Sequence, residues 1–211
     1  MKKGMLSLRG AEATKQSPRC IWIASLSLAM TFIMVSLPVG ATPSYRKLLR
    51  HNTRHDRVYE LKNFEPRIVW HVTHLTRGLV EAQIEHLDHQ LHFSAAEKAD
   101  ELKTRMAPVE KGDAFFISFF TKDRTSNNLA RTNVPWKVEL SRGGQHDADW
   151  IRPISTEKIR AGGFERFLYP YVDLWSDTFI VIFPYSRAGE DARTVNLRIL
   201  GLGGSSTLTF D

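Results

Sequence analysis

The sequence predicts a mainly β domain of the α+β class: an antiparallel β-sandwich of about six to seven strands, preceded by an N-terminal pair of helices. Between residues 76 and 106 apolar side chains recur at the helical period, whereas over residues 112–211 they recur at every second position. No helical crossover pattern separates the later strands, which favours antiparallel pairing. We therefore predict a single globular domain over residues 67–211, a length sufficient for one hydrophobic core.

The two predicted helices have recognisable boundaries. The first carries apolar residues at spacings of four, three and four, which form one stripe: Val80, Ile84, Leu87 and Leu91. It should end near His92. Ser94 and Glu97 then match the S-x-x-E capping box and predict a second helix to about Arg105, which Pro108 stops.

The predicted strands are short and are separated by turn residues. They cover residues 114–121, 136–140, 150–154, 178–183, 195–199 and 208–210. In the second of these, Trp136, Val138 and Leu140 alternate with polar residues, which indicates one buried and one solvated face. The segment 123–133, rich in Ser, Thr and Asn, is the longest predicted loop.

The first 41 residues have the composition of an export signal. Five basic residues precede an apolar run from Cys20 to Val39, and Val39 and Ala41 are the small residues expected before a cleavage site at Thr42. The run 20–39 is also as long as the roughly 20 residues that cross a bilayer, so an uncleaved N-terminal membrane anchor is the alternative. Both interpretations place the domain across the membrane, in the periplasm or cell envelope.

The formal net charge of +6 comes mainly from the N-terminal region. Without residues 1–41 the chain has 24 basic and 22 acidic side chains, and residues 58–211 have 19 and 21. Five basic residues lie in the stretch 46–57: Arg46, Lys47, Arg50, Arg54 and Arg57. We predict that residues 42–66 form a basic, solvated linker; alternatively the stretch, with His51 and His55, contacts anionic lipid headgroups or an acidic envelope polymer. The near-neutral domain does not favour nucleic-acid binding.

Sequence motifs give little support for catalysis. Cys20, the only cysteine, lies in the apolar run, so the predicted exported domain has no thiol for disulfides, thiolate metal sites or nucleophilic attack. The G-x-S-x-G, S-x-x-K and phosphate-binding glycine patterns are absent. A Ser-His-Asp triad assembled from distant positions stays open.

Histidines are concentrated in one part of the chain, with seven of the eight between positions 51 and 92. On the first predicted helix Glu85, His89 and His92 share the polar face, so that they could approach one zinc or copper ion. His71 and His74, which have the same interval, are candidate additional ligands. The other interpretation is a solvated helix face that binds no cofactor, since such histidines lack supporting hydrogen bonds.

Aromatic residues are concentrated between positions 164 and 175. The candidate binding residues are Tyr169, Tyr171 and Trp175, together with Asp173. With Phe164 and Phe167 these rings could line a ligand platform, or they could fill one end of the sandwich. Carboxylates that could contribute to a polysaccharide site, or simply form turns, are Asp147, Asp149, Asp173 and Asp177.

The order of several packing residues resembles that of uncharacterised bacterial exported proteins. These features are the helical pair, the aromatic strand 115–120, Pro135 with Trp136, the cluster Tyr169 to Tyr171 with Trp175, and Phe183 with Pro184. The resemblance covers residues 68–210. It implies a compact β-rich exported domain and carries over no catalytic or binding residue.

The sequence thus favours an exported, non-catalytic module of the cell envelope that binds a partner protein or an envelope polymer. A near-neutral sandwich without cysteine or catalytic motif needs only its surface for such recognition. The alternative is a periplasmic hydrolase or metal-handling protein that uses the helix segment from His86 to His92.

Overall fold

The computed structural model describes residues 44–60, 65–123, 125, 127–131, 135–143, 150–186, 194–201 and 204–211. The predicted export segment 1–41 lies outside the described residues, as do Asp147 and Asp149. Within the described part of the chain, no helix is both long enough and apolar enough to span a membrane.

The described residues form two antiparallel sheets and four helices. In chain order the elements are α1 (Tyr45–Asn52), β1 (Thr53–Tyr59), β2 (Pro66–Leu75), α2 (Arg77–Leu91), α3 (Ala95–Lys111), β3 (Asp113–Thr121), β4 (Lys137–Arg142), β5 (Ser155–Ile159), α4 (Gly163–Leu168), β6 (Asp177–Phe183), β7 (Val195–Gly201) and β8 (Gly204–Phe210). The five-stranded sheet has the order β1-β2-β3-β6-β5, and the three-stranded sheet has the order β4-β7-β8. The predicted mainly β, antiparallel character is confirmed.

One interior cluster contains residues of both sheets. In β2 and β3 alternate side chains are buried in it, because successive residues of a strand point to opposite faces. The large members from the five-stranded sheet are Trp70, Phe115, Phe119, Phe179 and Phe183, and those from the three-stranded sheet include Leu140, Leu197, Ile199 and Phe210. This cluster is the main apolar core of the described residues.

The two sheets are also joined by polar contacts between β1, β2 and β8. The indole nitrogen of Trp70 donates a hydrogen bond of 2.9 Å to the hydroxyl of Ser206. That hydroxyl in turn donates to Asp56 at 2.5 Å. Arg54 donates to the backbone oxygen of Thr209 at 3.1 Å. Strand β8 of the smaller sheet therefore lies beside β1, the edge strand of the larger one.

The opposite face of the five-stranded sheet is covered by helices. Its apolar cluster combines sheet residues with residues of α1, α2, α4 and the turn that follows α4: Tyr45, Leu49, Leu75, Leu79, Leu87, Ala114, Phe116, Leu168, Tyr169, Val172 and Ile182. Helices α1 and α4 both contribute to this cluster, so the polar residues next to their buried side chains lie near one another.

Most of the predicted elements are confirmed. In α2 the predicted stripe residues Val80, Ile84 and Leu87 are buried, whereas Leu91 in its last turn is exposed. Ser94 with Glu97 forms the predicted capping box at the start of α3. The predicted strands 114–121, 136–140, 178–183 and 195–199 correspond to β3, β4, β6 and β7. The segment predicted as strand 150–154 instead forms a single bridge between Ile151 and Leu140, and β5 follows it.

The predicted position of the helices at the start of the domain is wrong. Helix α1 and the strands β1 and β2 precede α2, and the short α4 lies between β5 and β6. Residues 45–59, predicted as solvated linker, form α1 and β1. Strand β1 has few apolar side chains, yet its backbone pairs with β2 over its whole length, which satisfies its hydrogen bonds.

Pro108 does not end α3, which continues to Lys111. A proline within a helix removes one backbone hydrogen bond. Here that loss falls in the last turns, where the buried Met106 and contacts of α3 with β3 and β6 hold the helix in place.

Candidate functional site

A groove of about 800 Å³ lies between α1 and the segment that contains α4 and the following turn. Residues of α1 and residues 166–171 form much of its lining, and β1, β2 and α2 contribute Thr53, His55, His71 and His86. We call this site the α1–α4 groove. Its volume is in the range of small-molecule and cofactor sites.

Three exposed arginines line the groove. Arg46 and Arg50 are four residues apart on α1 and so lie on the same side of that helix, whereas Arg166 belongs to α4. Among the described residues none of the three forms an ion pair. By contrast, Arg105 and Arg142 are each bound to carboxylates. The groove therefore presents positive charge that nearby described carboxylates do not neutralise.

A first stack of three rings connects α1, α2 and α4. The ring of His86 lies 4.8 Å from that of Tyr45 and 5.0 Å from that of Phe167, and both pairs are nearly parallel. The hydroxyl of Tyr45 donates to the backbone oxygen of Leu168, which fixes α1 to the end of α4. The side chain of Phe167 is nevertheless partly open to solvent.

A second stack follows from the register of β1 and β2. His55 is directly opposite His71 in the ladder, and their rings stack at 5.3 Å. On its other side His71 stacks on Tyr171 at 4.9 Å. The Tyr171 hydroxyl is 2.5 Å from the hydroxyl of Thr73, which is 2.7 Å from that of Thr53. The groove wall is thus a set of rings and hydroxyl groups.

The histidines in the middle of the two stacks are uncharged near neutral pH. Burial lowers the pKa of His71 to about 4, with further lowering by His55 and Arg57, and Asp173 acts in the opposite direction. Burial and the charge of Arg46 also lower the pKa of His86. The positive charge of the groove at neutral pH therefore comes from its guanidinium groups.

The predicted aromatic binding residues do not form one site. Tyr171 lines the groove. Tyr169 is buried, its ring stacks on Phe116 at 3.8 Å, and Gln83 donates to its hydroxyl at 2.8 Å. Burial raises the pKa of Tyr169 to about 12. Tyr169 is therefore a core residue, because its one polar atom already has a partner.

Trp175 and Asp173 lie in the turn between α4 and β6. Trp175 is 61% exposed, so it is not packed in the core. A carboxylate oxygen of Asp173 accepts hydrogen bonds from the backbone N–H groups of Trp175 and Ser176 at 2.9 and 2.7 Å. These bonds give Asp173 a turn-stabilising role. Asp177, also considered as a carboxylate donor, is paired with Lys158 at 2.8 Å.

The residues predicted to hold a metal are not assembled as expected. Glu85 forms an ion pair of 2.8 Å with Lys98, which also binds Asp88 at 2.9 Å. His92 lies beyond α2 in the left-handed conformation, with φ of 52°, so it does not continue the helix face of His89. The described residues contain no group of three or more His, Cys, Asp or Glu that could hold a metal ion.

His71 and His74 cannot act together as the predicted pair of ligands. They lie three apart in β2, and residues separated by an odd number in a strand point to opposite faces. His71 stacks in the groove, whereas His74 stacks on Phe115 in the core at 4.7 Å. Burial lowers the pKa of His74, in keeping with that position.

A neighbouring hollow of about 950 Å³ shares Tyr45, Arg46 and His86 with the α1–α4 groove. Glu81 and Glu85 also line it, so its charge is mixed. The acidic side chains distinguish it from the groove, whose charged lining consists of Arg46, Arg50 and Arg166 apart from the histidines.

Sequence reasoning identified part of the groove. The basic stretch 46–57 contains Arg46, Arg50 and His55, and Tyr171 was a candidate binding residue. Tyr45 and Leu49, four apart and alternating with those arginines, are the signal of an amphipathic helix that could have located α1. Arg166 carries no such signal, since only the fold brings α4 beside α1.

Comparison of the chain with protein-family models, with curated proteins and with solved structures finds no match in any of the three.

Proposed function

We propose that this protein is an exported, non-catalytic module of the cell envelope that binds an anionic envelope component in the α1–α4 groove. The observation that carries the proposal is the convergence of Arg46, Arg50 and Arg166, none of them ion-paired among the described residues, on one groove. A partner protein and an envelope polymer are the two occupants that the sequence favours.

The chemistry of arginine supports an anionic ligand. A guanidinium group offers several N–H donors in a planar fork that matches a carboxylate or a phosphate group. Three such groups around one groove would attract an anion and would fix its orientation. Because His71 and His86, the middle rings of the two stacks, are neutral, they would contribute contact surface rather than charge.

The cellular location in the proposal rests on the sequence. The basic N-terminus, the apolar run 20–39 and the small residues before Thr42 are typical of an export signal or an N-terminal anchor. We also infer that the two sheets are the layers of a β-sandwich, which the shared apolar cluster supports.

The metal-handling alternative is not part of the proposal. Glu85 is occupied by Lys98, and His92 leaves the helix face of His89. A hydrolase lacks a supporting arrangement as well, since the nearest serine to His71 across the ladder, Ser118, has a buried hydroxyl without a hydrogen-bond partner among the described residues.

The test is a binding measurement with defined anionic polymers on two matched variants. One variant carries Arg46→Gln, Arg50→Gln and Arg166→Gln. The other carries Arg131→Gln, Arg152→Gln and Arg160→Gln, which remove the same charge from exposed positions outside the groove. Polygalacturonate, poly-L-glutamate and polyphosphate are titrated by calorimetry at low and high salt.

We expect the wild-type protein and the second variant to bind at least one of the polymers, and the first variant to lose at least about tenfold in affinity. Binding should weaken with salt, because exposed charges are screened. Equal losses in both variants, or no binding to any of the polymers, would contradict the proposal.

A further inference from the structure

We infer that the occupant of the α1–α4 groove is an acidic glycan, a sugar chain that carries carboxylate or phosphate groups. This inference rests on the proposed function and goes one step further, since it assigns the ligand class. It is carried by the combination of unpaired guanidinium groups, an exposed aromatic ring and a row of hydroxyl groups in one groove.

Phe167 provides a surface for a sugar ring. One side of its ring is covered by His86, and the side chain is still 45% exposed at the groove. His86, which packs against Phe167, is itself stacked on Tyr45, and these contacts restrict movement of the Phe167 ring. The apolar C–H face of a pyranose packs favourably on such an aromatic surface.

The polar groups of the groove suit sugar hydroxyls. Thr53 and Tyr171 line the groove, and the hydroxyl of each is bonded to that of the buried Thr73. Both lining hydroxyls keep a lone pair for a further hydrogen bond. The neutral imidazole of His71 beside them also has one donor and one acceptor nitrogen. Sugar hydroxyls have the same dual capacity, so they can replace water at these groups without leaving one unpaired.

An extended peptide fits the groove less well. A peptide that adds to a sheet needs a free strand edge. Strand β1, which borders the groove, pairs with β2 on one edge. On its other edge β8 lies close to it, and the Arg54 side chain donates to the backbone oxygen of Thr209 there. The groove therefore offers side chains and hydroxyl groups rather than a backbone ladder.

A lipid also fits less well, because an acyl chain requires exposed apolar lining. The aliphatic residues of the groove, Leu49 and Leu168, are buried, at 8% and 0% exposure. The exposed residues of the lining are the three arginines, His55, Phe167 and Pro170. An acidic sugar chain can use the charged groups together with the flat ring of Phe167.

The experiment compares two polymers with the same charged group and different backbones. Polygalacturonate carries its carboxylates on sugar rings, whereas poly-L-glutamate carries them on a peptide backbone. Phosphatidylglycerol vesicles test an anionic lipid surface. The variants are Phe167→Ala and Phe164→Ala, two phenylalanines of the same helix with nearly equal exposure, of which only Phe167 lines the groove.

We expect polygalacturonate to bind at least about tenfold more tightly than poly-L-glutamate at equal carboxylate concentration. Phe167→Ala should weaken polygalacturonate binding about fivefold and leave poly-L-glutamate binding unchanged, because the ring contacts the sugar alone. Phe164→Ala should change neither.

Two results would overturn the assignment while leaving the proposed function intact. One is equal affinity for both polymers with losses confined to the arginine variant, which would define a general anion site. The other is preferential binding to the vesicles. Binding that the arginine substitutions do not alter would instead remove the proposed function together with this inference.

Discussion

His71 shows how a single side chain links the groove to the stability of the fold. Its ring is stacked between His55 and Tyr171, and burial lowers its pKa from 6.5 to about 4. In the unfolded chain the imidazole regains its ordinary pKa and therefore binds a proton more readily than it does in the folded protein. The neutral ring therefore contributes fully to the free energy of unfolding above about pH 6.5. This contribution is lost as the pH falls towards about 4.

We predict that His71→Phe flattens the pH dependence of stability. The substitution keeps a ring in the stack and removes the titrating group. Wild-type protein should lose about 2 kcal/mol from this group between about pH 7 and about pH 4, after allowance for solvent screening. Urea unfolding across this range measures the slope, and identical slopes in the two proteins would show that His71 is not held neutral.

The close approach of Trp136 to the backbone requires a glycine at position 201. A Cβ atom at this position would lie 2.1 Å from ring atom Cε3 of Trp136, a core residue that packs edge-on against Phe119. Gly201→Ala should therefore lower the free energy of unfolding by about 1–3 kcal/mol through displacement of the indole.

Gly78 is the matched control. A Cβ there meets nothing within 4 Å, and the residue is already helical. Gly78→Ala should stabilise the protein by up to about 1 kcal/mol, since alanine is the better helix former. Thermal unfolding of both variants tests the pair, and a loss of similar size at both positions would contradict the packing explanation at Gly201.

At the scale of the element, the stability of α3 depends on the capping box at its N-terminus. The backbone N–H of Glu97 donates to the Ser94 hydroxyl at 3.3 Å, and the Glu97 carboxylate accepts from the Ser94 N–H at 2.8 Å. We predict that Ser94→Ala destabilises the protein by about 1 kcal/mol, whereas Ser94→Asp, which also caps a helix, retains most of the stability. Denaturation in urea distinguishes these outcomes, and equal losses would indicate that the cap does not contribute.

The predictable elements are those in which the pattern of apolar side chains shows which face is buried. Helix α2 has one apolar stripe, and β3 is mostly apolar because it is the central strand of its sheet. No strand is predicted over β2, although Ile68, Trp70 and Val72 alternate with Val69 and His71. Strand β1 could not be predicted, because few of its side chains are apolar and its pairing with β2 determines it. Helix α1 does have a sequence signal, the apolar pair Tyr45 and Leu49.

At the scale of the whole molecule, the site depends on the way in which distant segments meet. The groove arginines of α1 lie about 120 residues before Arg166 of α4 in the sequence, and the Tyr45 hydroxyl joins the two helices across 123 positions. The basic stretch was visible in the sequence, but its function as one wall of a groove was not. The ion pair between Glu85 of α2 and Lys98 of α3 could not be predicted for the same reason, since the fold brings the two side chains together.

The fold brings separate basic residues into one groove, which composition alone does not show. Residues 58–211 are nearly neutral, which argues against a broad cationic surface. The groove concentrates unpaired guanidinium groups locally while Arg105, Arg142 and Arg198 are paired elsewhere. Binding should accordingly be local and sensitive to a few substitutions, rather than spread over the surface.

The most direct test of the central claim locates the bound anion on the protein. Hydrogen exchange is measured by mass spectrometry with and without a saturating anionic polymer, on the wild-type protein and on the variant with Arg46→Gln, Arg50→Gln and Arg166→Gln. The proposal predicts slower exchange in α1 and in residues 163–171 of the wild-type protein, and no such change in the variant. Slower exchange at the three-stranded sheet, with α1 and α4 unaffected, would contradict it.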